Sequence, residues 1–278
     1  MSNETGGHWY DLTGKPCHTQ PTKSKTAKNP TRPTRVSDAK EQKLLPSVST
    51  YLRVLSNPGL DRYKQMEVVK ACYNCLPGAG ETLEEYTGHI LEKSLEDASG
   101  AAGLGSQIHK ALEALFKEPL LYYPKAPIVL TDGSKCDCAV FVEPAVKLVA
   151  ELDSPVIEAE AVLVHPAYGY AGTTDLILGR GILDFKSKRT KPGVKIEPNE
   201  SHVIQIAAYT AALNVRRGSN QIPGEDEGFN LYISTTEPGR VELVHWDYYA
   251  LAAAWEVFTN CLSIWRYRNS FDPRINED

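Results

Sequence analysis

Apolar residues recur at two different spacings along this chain, and the change falls near residue 155. Before it the spacing is helical. LLPSVSTYLRVL opens the periodic part, and residues 60–98 read as helices broken around LPGAGE. GLGSQIHKALEALFKE predicts an amphipathic helix with Ser106 as N-cap and Ile108, Leu112, Leu115 and Phe116 as its apolar stripe. AVFVEPAVKLVAEL predicts another helix. After residue 155, VIEAEAVLV, GTTDLILG and GILDFKSK are short strands punctuated by glycine. SHVIQIAAYTAALNV then reads as a helix, FNLYISTT and GRVELVHW as strands, and LAAAWEVFTNCLSIWRY as a closing helix with Trp255, Phe258, Leu262 and Trp265 on one side.

This order predicts a mixed α/β fold, a small central sheet flanked by helices, with a helical N-terminal half. Residues 11–45 are rich in Lys, Thr and Pro and lack apolar periodicity. Residues 1–45 are therefore expected to form a basic extended or disordered arm. A single domain is expected over 46–272, helical over 46–155 with its core over 156–272, followed by a tail at 273–278.

Composition narrows the class. The 278 residues are 42% hydrophobic and 23% charged, as in ordinary globular proteins. No run approaches the roughly 18 apolar residues of a membrane span, and the N-terminus lacks an apolar leader. No membrane partner and a cytoplasmic location are the expectations. The six cysteines fit no strong metal template, so no iron–sulfur cluster is expected. The net charge of −5 conceals an uneven distribution. Residues 1–50 hold eight Lys and Arg against four Asp and Glu. A second basic run follows Asp184: Lys186, Lys188, Arg189, Lys191 and Lys195.

The chemistry is carried by acids in apolar strands. Asp175 lies in TTDLIL and Asp184 in ILDFK, and ionised carboxylates are costly to bury unless paired or bound to metal. Side chains alternate along a strand, so Asp184 and Lys186 share a face. If the two strands pair across the turn GRG, Asp175 and Asp184 meet at one end of the sheet. Glu160 in the strand before adds a third acid, and three such groups suit a hard cation, Mg²⁺ or Mn²⁺. Glu158, two residues away on the same predicted face, is an open alternative to Glu160. A cation so held polarises a phosphoryl oxygen and activates water, with Lys186 stabilising developing charge.

The run Glu160, Gly172-Thr-Thr-Asp175, Ile182-Leu-Asp184-Phe-Lys186 and Gln205-x-x-x-Tyr209 resembles the PD-(D/E)XK nucleases, in particular the RecB-type exonuclease branch. PSVSTYLRVLSNPGLDRYKQ is similar to the leading segment of phage exonucleases and of the mitochondrial genome-maintenance exonuclease. The resemblance spans roughly residues 46 to 215. It implies a restriction-endonuclease-like core and divalent-metal-dependent DNA cleavage, in replication, recombination or repair. It also implies His109, Glu160, Asp175, Asp184 and the Phe185 carbonyl as metal ligands, with Lys186 as catalytic lysine and Gln205 and Tyr209 in support. Lys188, Arg189, Lys191, Lys195, Arg216 and Arg217 are expected to meet DNA phosphates. Tyr168 and Tyr170 are expected in the core, with stacking on an unpaired base as the alternative.

An exonuclease on single strands or duplex ends is the leading expectation. A structure-specific endonuclease on the same core, and a DNA-binding module without cleavage, are the alternatives.

Overall fold

The computed structural model describes residues 7–22, 29–56, 58–118, 127–130, 133–219 and 226–274. In chain order these form β1 (Trp9–Tyr10), β2 (Thr19–Pro21), β3 (Thr31–Pro33), α1 (Val36–Gln42), β4 (Leu45–Pro46), α2 (Val48–Leu52), α3 (Pro58–Asn74) and α4 (Leu83–Lys117). There follow β5 (Ile128–Val129), β6 (Lys135–Cys136), α5 (Ala139–Glu151), β7 (Val156–His165), β8 (Tyr170–Leu178) and β9 (Gly181–Lys188). The chain continues through α6 (Glu200–Arg216), β10 (Glu227–Ser234), β11 (Val241–Trp246) and α7 (Tyr248–Asn269).

Five strands form one mixed sheet in the order β11-β10-β9-β8-β7. Neighbours are antiparallel except β9 and β10, which run parallel. A parallel pair needs a long crossover, and α6 supplies it. Helices cover both faces, so β9 is apolar on both sides. Ile182 joins a core with Ile206, Ala208 and Phe258 from α6 and α7, whereas Leu183 and Phe185 join one with Leu112 and Phe141 from α4 and α5. This two-sided burial is why GILDF reads as a near-continuous apolar run instead of an alternating one.

Two expectations are corrected. The first is the N-terminal arm, whose described residues dock onto the domain. Trp9 is buried, its strand pairs with β4, its indole N–H donates to the Thr34 carbonyl, and its ring meets Trp265 edge-on. Two adjacent aromatics carry enough apolar area to anchor a polar segment, a signal that average composition dilutes. The second is the helix expected to start at Ser106. It starts at Leu83, behind a capping box in which Thr82 and Glu85 exchange side-chain and backbone hydrogen bonds, and Ser106 is interior. Gly105 is not a terminator but a contact point. A Cβ there would strike Ser187 Oγ, so glycine lets α4 lie close against β9. Among the described residues no helix is long and apolar enough to cross a membrane.

Candidate active site

β8 and β9 pair only from Leu178↔Gly181 to Leu176↔Leu183. The next pair would place Asp175 opposite Asp184, and there the strands part. The Asp175 carboxylate fills the gap, its Oδ2 accepting the Phe185 backbone N–H at 2.6 Å. A side chain thus satisfies a donor that the interrupted ladder leaves over. The turn GRG places both aspartates at this opening.

Glu160 reaches the same point by a backbone distortion. It falls between the pairs Ala159↔Leu176 and Ala161↔Thr174, which sets it opposite Asp175. Its φ is +52°, in the left-handed region, inside a strand. Strict alternation would put Ala159 and Ala161 on one face, yet Ala159 packs toward α4 and α5 and Ala161 toward α6 and α7. Glu158 and Glu160 therefore separate, contrary to the expectation that they share a face. Glu158 pairs with Arg216 at 2.6 Å, while Glu160 feels Asp175 and, on α4, His109, Glu113 and Lys117. Strain of about 1–3 kcal/mol for such a backbone is tolerated where the surroundings enforce it, and functional sites are where it collects.

On the α6 side, the Lys186 ammonium contacts Asp184 Oδ2 and donates to Gln205 Oε1 at 2.9 Å. Gln205 Nε2 donates to the Tyr209 hydroxyl at 3.0 Å, one turn along α6. Gly172 makes room for Tyr209, since a Cβ there would come within 2.7 Å of Cε1. A further pair, not anticipated, orients Asp184 from β10. Asn230 is fully buried beside Asp184 in the parallel ladder. Its Nδ2 donates to the Asp184 carbonyl at 3.3 Å and approaches Oδ2 at 3.5 Å, and Trp246 Nε1 donates to its Oδ1 at 2.9 Å. The signal was present in FNLYIS, a polar residue in an apolar strand, as in the two aspartate strands.

The acids crowd one another. Burial, then the charges of Asp175 and Glu113, raise Glu160 to about 7. Burial also raises Asp184 to about 6, against the pull of Lys186. Burial lowers His109, but the hydrogen-bonding influence and charge of Asp175, 3.8 Å from its Nδ1, outweigh it and the net shift is upward.

Among the described residues no group of three His, Cys, Asp or Glu side chains is drawn together as a closed metal site. Asp184 is turned onto Lys186, and one oxygen of Asp175 is spent on Phe185. The donor chemistry nonetheless fits a hard divalent cation, with carboxylates whose mutual repulsion such a cation relieves.

Beside Lys186 opens a cleft of about 850 Å³ between α2, the start of α3 and the first turn of α6. Arg53, Lys64 and Lys186 bring positive charge, Asp61 and Glu200 negative charge, and Leu52, Leu55 and Pro198 an apolar wall. His202, at its rim, is held neutral: burial, then Lys186 and Lys188, lower it to about 3, and its Nδ1 meets the Tyr232 hydroxyl at 2.7 Å.

The six expected DNA contacts divide. Arg189, Lys191 and Lys195 are exposed on the loop between β9 and α6. Lys188 turns inward to the Glu197 carbonyl and the Tyr232 ring. Arg216 and Arg217 sit at the far end of α6, about 16 Å along the helix from Gln205 by its rise per residue, ion-paired with Glu158 and Asp226. Tyr170 is buried, its hydroxyl on the Ala208 carbonyl, and Tyr168 meets Trp255 edge-on.

No family model matches the chain, and no curated protein matches its sequence. Among solved structures, that of a putative exonuclease from Eubacterium rectale is similar at 12% identity and a TM-score of 0.37, covering 60% of this chain and 68% of that chain. A likeness this slight assigns neither a fold family nor an activity.

Proposed function

We propose that this chain is a divalent-metal-dependent deoxyribonuclease acting on DNA ends. The observation that carries this reading is the meeting of Asp175, Asp184, Lys186 and Gln205 where β8 and β9 part. Acids with one anchored ammonium beside an open cleft suit phosphodiester hydrolysis.

Glu160, Asp175, Asp184, His109 and the Phe185 carbonyl would hold Mg²⁺ or Mn²⁺. Bound there, such an ion would supply polarisation of a phosphoryl oxygen and a water of lowered pKa. Lys186, fixed between Asp184 and Gln205, places its positive charge against the oxyanion that develops at phosphorus. Tyr209 holds Gln205 in position, and Asn230 holds Asp184. The cleft admits a strand, its cations on the phosphates and its apolar wall against sugar or base.

The test is a nuclease assay on end-labelled linear single- and double-stranded DNA and on a covalently closed circle, with Mg²⁺, Mn²⁺ or EDTA. Metal-dependent loss of linear DNA, an intact circle, and inactive Asp184→Ala and Lys186→Ala variants are expected. A cut circle would replace the exonuclease by an endonuclease. Binding without cleavage under every condition would leave a DNA-binding module.

A further inference from the structure

We infer that the basic loop between β9 and α6 is a pre-built strap for the sugar-phosphate backbone, and that Arg240 is the positioning residue that gives it its shape. This rests on the nuclease reading above.

Residues 189–198 contribute little to the core beyond Ile196, yet their backbone is held at several points. Thr190 N–H donates to Thr236 Oγ1 at 2.9 Å, and Thr236 Oγ1 donates back to the Thr190 carbonyl at 2.8 Å. The Arg240 guanidinium donates to the Lys191 carbonyl at 2.9 Å and to the Val194 carbonyl. Arg240 is itself gripped by Glu237 and Glu242. Glu242 Oε2 also accepts the Ile196 N–H at 3.1 Å, and the Ile196 side chain is buried.

Water would satisfy the carbonyls of an exposed loop without help. Fixing a backbone costs conformational entropy, so an arginine placed on two such carbonyls holds a shape that folding does not require. That shape leaves the side chains of Arg189, Lys191 and Lys195 exposed. The loop begins three residues after Lys186 and ends at Pro198 in the cleft wall. The loop backbone that carries these three cations is held in place, and holding it beforehand lowers the entropic cost of binding a phosphate backbone.

Two substitutions separate positioning from charge. Glu242→Ala removes a negative charge, so simple electrostatics demands tighter DNA binding. Positioning demands weaker binding, because the Ile196 N–H loses its partner and Arg240 loses one of its two carboxylates. Arg240→Gln releases the two carbonyls. The full chain is assayed in EDTA against a single-stranded oligonucleotide across a salt series, and in parallel by trypsin, which cuts after Arg189 and Lys195 once the loop loosens.

Expected are nicking about tenfold faster and binding about five- to tenfold weaker in both variants, with an unchanged salt slope. Melting temperatures should stay within about 3 °C of the parent, as for surface changes. Tighter or unchanged binding by Glu242→Ala overturns the inference, as does faster nicking with no loss of affinity. A slope reduced by about one for Arg240→Gln overturns it too, making Arg240 a direct phosphate contact. A parent chain that neither binds nor cleaves DNA would instead sink the nuclease reading.

Discussion

Phe185 donates its backbone N–H to the Asp175 carboxylate at 2.6 Å, across the point where two paired strands separate. That bond makes the opening between β8 and β9 a defined structure instead of a frayed end. It sets Asp175 against the Phe185 backbone and opposite Asp184.

Glu160 and Glu158 should behave as unlike residues. Glu158→Gln breaks a surface pair with Arg216, worth about 0.2–1 kcal/mol, and should leave cleavage within about twofold of the parent. Glu160→Gln should lower it by about a thousandfold, on the scale of losing a charged group at a catalytic centre. Equal effects in the labelled-DNA assay would contradict the face assignment.

Glu160 also predicts a pH dependence in chelated protein. Its folded pKa of about 7 lies above the unfolded 4.5, so between these values the folded state holds the extra proton. Stability therefore falls as pH rises through that window, by about 1–2 kcal/mol once screening of a half-buried group is allowed for. Glu160→Gln should lose this fall in thermal melts at pH 5 and 8. Added Mg²⁺ should raise the parent's melting temperature at pH 8 more than the variant's.

Asn230→Leu should cut turnover at least about tenfold by freeing Asp184 and stranding the Trp246 indole N–H, a half-buried donor whose loss of partner costs about 1 kcal/mol. Trp246→Phe should cost little in the Asn230→Leu background and more in the parent. Additive effects in this double-mutant cycle would mean that the pair does not act as a unit.

His165 is buried, neither ring nitrogen has a hydrogen-bond partner among the described residues, and its ring stacks on Trp255. Burial lowers its pKa from 6.5 to about 4. In that interval the unfolded state binds the extra proton, so stability falls as pH drops, by about 3 kcal/mol at most. His165→Phe keeps an aromatic ring without the titration. Its denaturation midpoint should fall less than the parent's between pH 7 and pH 5, and equal falls would remove His165 as a cause.

Much of this molecule follows from its sequence alone. The strands β7 to β11 and the helices α5 to α7 follow from apolar period and turn residues, because burial on a sheet or helix face imposes those periods locally. Asp175, Asp184 and Lys186 stood out because a charge in an apolar strand demands a partner.

What the tertiary structure decided is what no local period encodes. The left-handed backbone at Glu160 turns that carboxylate away from Glu158, and period-two reading assumes a uniform strand. Asn230 and Trp246 reach Asp184 only through the parallel pairing of β9 with β10, contacts that are distant in sequence. Trp9 anchors a stretch whose composition reads as unstructured, because burial depends on finding a complementary surface. Arg240 closes on its loop for the same reason: a hydrogen bond across about fifty residues is chosen by the packed fold, not by the segment that accepts it.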